Sequence, residues 1–579
     1  VKVMLSYLKN YKKEVIFGPI FKLLEAILEV LIPFLMIQII DVGIVGNDAN
    51  YIIQYGFYMV ALGIAGYLLS LVCQYFASKA SQGYGTVIRN ALFKHISKLS
   101  QYQINNFGTN SLITRMNNDI NAVQVMVAMT IRLGTRVPFI VIGSTIMAFI
   151  IDVRMAGIFL VSIPFIALIL YLVMSKVIPL YTVVQKKLDK LSLLTRENLT
   201  GIRVIRAFAK QEEAVEKFDN AADDIKQMSI RVGNISALLN PAMYLVVNIA
   251  IIVILWFGGN DVDSGRLSQG QIIALINYMI QIQLALVVFA NLIILETRGY
   301  ASMLRIGEVL TCEPDIVEVE KTKEIQQEKS PILQFDNVSF TYYGAQVPVL
   351  SNISFTLKKG ETLGIIGGTG SGKSSLINLI PRFFDVTIGK ILINGMNINE
   401  ISFKNLRKRV SIVAQKAVVF SGTIAENLRW GNINATDSEL ERALRIAQAQ
   451  TFVDELPVGL DTKILQDGKN LSGGQRQRLS IARSIVANPD ILIFDDSSSA
   501  LDYATDAALR LAIKEHLKDT TVITVSQRIN AIRYADKIMV LDEGNVVAIG
   551  THKTLLKTCD IYKEIALTQL TNAEIEGDV

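Results

Sequence analysis

Cysteine is scarce in this chain. Only Cys73, Cys312 and Cys559 occur in 579 residues, far apart. That spacing excludes a disulfide framework and a thiolate metal cluster, and a reducing compartment is sufficient. Histidine is equally rare, at His95, His516 and His552. Charged residues make up only 19% against 51% hydrophobic, and the mean hydropathy is +0.38. An ordinary soluble chain is excluded on that balance. The net charge is only +5, so its placement matters more than its size, and no nucleic-acid partner is expected. The beginning lacks the pattern of a signal peptide. Val1, Met4, Leu5, Leu8 and Tyr11 fall at helical spacing with Lys2, Lys9, Lys12 and Lys13 among and after them, which suits a helix lying in a membrane interface.

Apolar sequence is abundant and unevenly placed. Before about residue 310 it forms long runs, and after 330 the chain reads as soluble α/β. Six runs are long enough, or nearly so, to cross a bilayer: 16–40, 56–76, 137–151, 156–175, 239–257 and 272–295. The third is short and must borrow residues from its flanks. The links 41–50, 152–154 and 258–270 are brief. The other two are long and basic, one carrying Lys79, Arg89, Lys94, Lys98 and Arg115, the other Lys176 to Arg231. Positive residues stay on the cytoplasmic side, which places both long links, both termini and the soluble half inside. Structureless loops of that length are uncommon, so the spans are expected to continue as helices well beyond the membrane. Lys22, Glu25 and Glu29 share one face of the first span. Such groups face a bundle interior or a wet cavity, so a cavity wall or gate, a helix-locking Lys–Glu pair and lateral snorkelling of Lys22 near the interface all remain open. Arg132 and Arg136 precede the third span and are expected at the inner boundary. Asn277, Gln281 and Asn291 give the sixth span polar positions.

The soluble half carries a phosphate-binding pattern. Leu363–Gly364–Ile365–Ile366 reads as a buried strand entering Gly367–Gly368–Thr369–Gly370–Ser371–Gly372–Lys373–Ser374, with Ser375 next. The glycines let backbone N–H groups close around phosphate; Lys373 reaches the β- and γ-phosphates and Ser374 is placed to ligate Mg²⁺. Further on stand Leu471–Ser472–Gly473–Gly474–Gln475 and an acid-tipped strand, Ile491–Leu492–Ile493–Phe494–Asp495–Asp496.

A P-loop, an LSGGQ segment and an acid-tipped strand in this order resemble the ATPase domain of ABC transporters. The resemblance covers about 331 to 570, and the spans ahead of it resemble an ABC exporter's membrane domain. It implies a multidomain architecture: a six-helix transmembrane domain with long cytoplasmic helical extensions over 1–312, a linker over 313–330 and an α/β P-loop ATPase over 331–579. Phe107–Arg115 and Gly201–Phe208 resemble the coupling-helix regions, with plain polar connectors as the alternative. Tyr342 implies adenine stacking, with Tyr343 as a neighbouring competitor and a simple strand-end aromatic as the structural alternative. Gln415 matches the Q-loop, which touches metal or attacking water. Asp495 implies Mg²⁺ held through water. Ser472, Gly473, Gly474 and Gln475 would cap ATP held by a second ATPase domain, and Asp502 lies in the D-loop that joins the two sites. ATP and Mg²⁺ are the implied cofactors. A second half-transporter, the lipid bilayer and a small amphiphilic substrate are the implied partners, in a bacterial inner or plasma membrane.

Two departures from the family pattern bear on mechanism. The family's general base is glutamate, and here Asp496 occupies its place. Its carboxylate falls short by roughly 1 Å, an error that costs on the order of a hundredfold in rate. The family's switch histidine is replaced by Gln527, which donates a hydrogen bond but carries no positive charge. Binding residues and signature are intact while both catalytic positions of one site are altered. That combination resembles the degenerate-site subunit of a heterodimeric multidrug-type exporter. A homodimeric lipid or peptide exporter with weak ATPase, and an ATP-gated channel or regulator, are the alternatives. No peptidase-like segment is seen ahead of the spans, so a leader-processing exporter is not expected.

Overall fold

The computed structural model describes residues 2–318 and 331–571. Val1 of the interfacial helix, residues 319–330 of the expected linker and the last eight residues lie outside that description. The chain divides into two compact units, Val1–Leu99 with Ile104–Glu313, and Ser100–Gln103 with Pro314–Val579.

Among the described residues, six helical runs of the first unit are long and apolar enough to cross a membrane: Lys2–Ile44, Ala49–Ile96, Thr109–Ile151, Val153–Thr200, Gln211–Asp263 and Gln269–Thr311. Each overlaps one expected span and extends beyond it. The long basic links are therefore helical, because a helix satisfies its own backbone groups whether it runs through lipid or water. The run Thr109–Ile151 supplies the residues that the short third span lacked. Arg132 and Arg136 lie within this helical run, immediately ahead of the apolar segment 137–151.

Lys2–Leu8 forms the expected amphipathic start. Met4 is fully buried, and its carbonyl accepts from the Tyr84 hydroxyl at 3.0 Å. The apolar centre of the unit gathers Phe159, Ile166, Met243, Ile254, Tyr278, Met279 and Ile282, all fully buried. Tyr278 donates to the Val30 carbonyl at 2.8 Å, which satisfies a buried hydroxyl in apolar surroundings.

The intramembrane charges are paired. Lys22 bonds Glu25 on its own helix at 2.7 Å, and Glu29 bonds Arg136 of the helical run Thr109–Ile151 at 2.8 Å. Glu29 thus locks two helices together, while Lys22 neutralises its neighbour. Asn277 and Asn291 donate to carbonyls of their own helix. Gln281 stands across from Ser144 of the third span, at 3.5 Å.

The second unit contains two main sheets. Strands β1 (Leu333–Phe340), β2 (Leu350–Leu357), β3 (Thr362–Ile366), β4 (Ile388–Ile393), β5 (Met396–Asn397), β6 (Val410–Val413), β7 (Gly422–Thr423), β8 (Lys463–Ile464), β9 (Ile491–Asp495), β10 (Thr521–Val525), β11 (Lys537–Asp542) and β12 (Asn545–Gly550) follow in chain order. An antiparallel sheet runs β2-β1-β4-β5, and a six-stranded sheet runs β12-β11-β3-β10-β9-β6. Within the latter, β11, β3, β10, β9 and β6 are parallel. Their near-continuous apolar residues are buried on both faces, as parallel strands require. A short β7–β8 ribbon completes the unit. Ser100 and Gln103 group with this unit and donate to the Asp315 carboxylate at 3.1 and 2.9 Å.

Candidate functional site

Parallel register brings distant residues together. Val525 of β10 pairs with Ile365 of β3 on one side and Asp495 of β9 on the other. The loops leaving the carboxyl ends of these three strands therefore meet at one sheet edge, where α/β sheets bind ligands. Those loops are the P-loop, the Asp495–Asp496 pair and Ser526–Gln527–Arg528.

The P-loop needs its glycines. Gly370 and Gly372 have φ of 85° and 95°, a left-handed backbone that only glycine adopts freely. A Cβ on Gly367 would lie 2.0 Å from the Leu541 carbonyl oxygen. Gly368, Thr369 and Gly370 are exposed, whereas Ser371 and Ser375 are buried. The Lys373 ammonium contacts the Gly367 and Gly368 carbonyls at 2.9 and 2.5 Å and the Ser371 hydroxyl at 3.2 Å. Burial pulls its pKa down while the Asp496 and Asp495 carboxylates oppose that shift. Tyr342 is fixed beside this loop: its hydroxyl shares a 2.9 Å hydrogen bond with Ser375. Phe340 and Phe384 stand roughly perpendicular to its ring at 4.7 and 5.3 Å. Tyr343 is exposed.

Ser374 Oγ donates to Asp495 Oδ1 at 3.3 Å. Burial pushes the Asp495 carboxyl up, the Ser374 hydrogen bond lowers it, and the neighbouring Asp496 raises it again. A hydroxyl beside a carboxylate forms the oxygen donor set that a hard divalent cation takes together with substrate phosphates. The described residues hold no cluster of three or more His, Cys, Asp or Glu side chains suited to a metal, so phosphate oxygens are needed to complete such a site.

Asp496 adopts φ 46°, and its N–H donates to the Val525 carbonyl at 2.9 Å. Its Oδ2 accepts from Gln415 Nε2 at 3.4 Å. Burial raises its pKa, while the Arg528 guanidinium and the Gln415 bond lower it. Gln527 is exposed. Its peptide is held from an unanticipated direction: Gln569 Nε2 donates to the Gln527 carbonyl at 2.8 Å, and Gln569 Oε1 accepts from Ile529 N–H at 2.9 Å. Arg528 lies over the Tyr503 ring at 5.5 Å.

Ser472 caps the helix Gly473–Val486. It accepts from Gln475 N–H at 3.2 Å, and Gln475 Oε1 accepts from Ser472 N–H at 2.8 Å. This reciprocal box holds the helix start. Ser472 and Gly473 are exposed, and a Cβ on Gly474 would meet the Ala500 carbonyl at 3.4 Å. Gln477, almost fully buried, links the same helix to the Ala414 carbonyl beside Gln415 at 3.3 Å. Asp502 caps the helix Tyr503–His516 and accepts from Thr505 N–H at 2.9 Å. That bond and the Thr505 hydroxyl hold its carboxyl below the usual range.

Sequence reasoning missed Gln477, Arg528 and Gln569. The first two lie next to quoted motifs, but Gln569 has no local signal.

A family model described as the ABC transporter transmembrane region matches residues 15–286, and one described as ABC transporter matches 350–499. An uncharacterized ABC transporter ATP-binding protein of Mycobacterium tuberculosis is 34% identical, over 99% of this chain and 98% of its own. An ATP-dependent lipid A-core flippase of Syntrophus aciditrophicus is 31% identical, over 89% of this chain and 86% of its own. The structure of a bacterial Atm1-family ABC exporter with ATP bound matches with a TM-score of 0.82 over 97% of this chain and 99% of the other. At 22% identity that match speaks to the fold. Exporters of this architecture act as dimers within the bilayer. The chain belongs to the ABC transporter family, as an exporter half-transporter that fuses a membrane domain to an ATPase and couples ATP hydrolysis to transport.

Proposed function

We propose that this chain is one subunit of a heterodimeric exporter and that the ATP site on its own P-loop turns over slowly. One observation carries the reading: Asp496 and Gln527 stand at the two catalytic positions of a site whose binding residues are intact. Tyr342 stacks on adenine, Gly367 to Ser375 wrap the phosphates, and Ser374, Asp495 and Gln415 would hold Mg²⁺, which supplies charge neutralisation between the phosphates. Asp496 sits where a base must polarise water, yet its short carboxylate is engaged by Gln415 and faces Arg528. Gln527 offers no charge to the γ-phosphate. The box, exposed at Ser472 and Gly473, would meet the partner's γ-phosphate, where its helix N-terminus favours an anion. Asp502 ties the two sites together.

Phe107–Arg115 and Gly201–Phe208 act as coupling segments. The structure forms short helices there, Thr109–Thr114 and Ile202–Ala207, each with exposed apolar side chains such as Ile113 and Val204. The substrate is an amphiphile or drug, a reading supported by the lipid-flippase relative and by the apolar character of the spans. The protein lies in a bacterial plasma membrane with its ATPase in the cytoplasm.

The test is assembly-dependent ATPase activity. Purified alone, the chain hydrolyses ATP poorly; with its partner, activity appears and depends on the partner's general-base glutamate. Brisk hydrolysis by the isolated chain at near-stoichiometric active sites would sink this reading.

A further inference from the structure

The helical run Thr109–Ile151 contains two π segments, Arg115–Asp119 and Thr130–Gly134. π turns are rare and are often found at functional sites. The first directly follows the short helix Thr109–Thr114. Its Arg115 and Asp119 both reach the last turns of the sixth span. Arg115 Nη1 bonds Glu308 at 2.8 Å and the Arg305 carbonyl at 2.8 Å, and its guanidinium lies over the Phe107 ring at 5.1 Å. The Asp119 carboxylate accepts Arg305 Nε at 2.9 Å, Arg305 Nη2 at 2.5 Å and Ser302 Oγ at 3.0 Å. Asp119 is only 6% exposed at its side chain, whereas Arg305 is half exposed.

Most surface ion pairs contribute little. A two-pronged guanidinium on a buried carboxylate differs, because loss of either member leaves a poorly solvated charge and a loose helix contact. Beyond it, His95 Nε2 hydrogen-bonds the Cys312 carbonyl at 2.8 Å, tying the second span to the end of the sixth. Buried Leu112, Ile120, Val123, Met303, Ile306 and Val309 fill the space between these contacts. The other cytoplasmic arm is built differently. Ile202–Ala207 has no buried residue, and the helix Gln211–Ala237 buries only Val232. Its tie to the fourth span, Lys187–Asp224, is more than half exposed on the aspartate side.

We propose that the Asp119–Arg305 fork is the positioning joint that makes the Thr109–Thr114 segment and the end of the sixth span one rigid lever. ATP-driven movement then reaches the membrane spans through it. This rests on ATP-coupled transport and on the coupling role proposed for Phe107–Arg115, and is independent of the heterodimer reading. Neither residue touches nucleotide; both act on how its energy is transmitted.

The test uses the full transporter in nanodiscs, with dyes on the loop positions Asn47→Cys and Ser264→Cys. The readouts are ATP KM, kcat and the dye distance with and without ATP plus vanadate. In Asp119→Asn the KM for ATP stays within about twofold, while the equilibrium of the distance change weakens by roughly two- to thirtyfold, the range of coupling mutations. Asp119→Glu keeps the charge and recovers much of the response. Arg305→Gln alters the half-exposed member and reproduces the loss, so a poorly assembling Asp119 variant does not end the experiment. An unchanged distance response in both Asp119→Asn and Arg305→Gln overturns the proposal. So does an Asp119→Glu variant as impaired as Asp119→Asn.

Discussion

Ser472→Arg and Asp496→Asn perturb the two roles of one ATPase domain, and the proposed asymmetry makes them unequal. Ser472 is exposed and caps its helix through the reciprocal bonds with Gln475. Arginine removes that cap, at about 1 kcal/mol, a loss the folded domain tolerates. It also places a long side chain where a γ-phosphate must approach. Losing a preorganised donor to such a charge costs on the order of a hundredfold in kcat. Asp496 sits at φ 46°, a conformation that asparagine tolerates well, so Asp496→Asn keeps the shape and the contact with Gln415. At a working base, removal of the carboxylate would cost about 10²- to 10⁴-fold. At a carboxylate already short of its target, the expected loss of heterodimer ATPase is less than about threefold, since the fast site uses another base. Steady-state ATPase of the two single variants, purified with the partner and matched for ATP binding, decides the matter. Equal damage from both would make Asp496 a working base and refute the asymmetry.

Other outcomes follow from the same contacts. Glu29 and Arg136 are each about one-third exposed at the side chain, so a double-mutant cycle with Glu29→Gln and Arg136→Gln should give a coupling of about 1 kcal/mol; thermal unfolding in detergent measures it, and zero coupling would deny the helix lock. Gln569→Ala frees the Gln527 carbonyl and the Ile529 N–H, and should speed amide hydrogen exchange in residues 526–530 with β3 unchanged; unaltered exchange would show that the clamp has no effect there. Tyr342→Phe keeps the ring and loses only the Ser375 bond, so ATP affinity should fall less than about threefold, whereas Tyr342→Ala should lose roughly 1–2 kcal/mol of stacking; equal losses by nucleotide titration would assign the role to the hydroxyl.

The parts that were legible in the sequence are those whose signal is local. The P-loop glycines, the apolar spans and the acid-tipped strand each announce a backbone conformation or a burial pattern within a few residues. The helical nature of the basic links followed from their length alone. Other features depend on residues far apart in the chain. Glu29 was visible as an intramembrane acid, but its partner Arg136 emerges only when the first and third spans pack. Gln569 belongs to no motif and reaches the switch segment by tertiary packing. The two π segments have no composition signal, because one inserted residue leaves the apolar pattern almost intact.

The central claim is that ATP on this chain's P-loop is bound but hydrolysed slowly. The most direct measurement is single-turnover hydrolysis in a heterodimer whose partner carries Glu→Gln at its general base, so that only the site on this P-loop remains to be read. The expected rate is on the order of a hundredfold below that of the unaltered heterodimer, and Asp496→Glu with Gln527→His in this chain should raise it. A rate near that of the unaltered heterodimer, with no gain from the two restorations, would contradict the account.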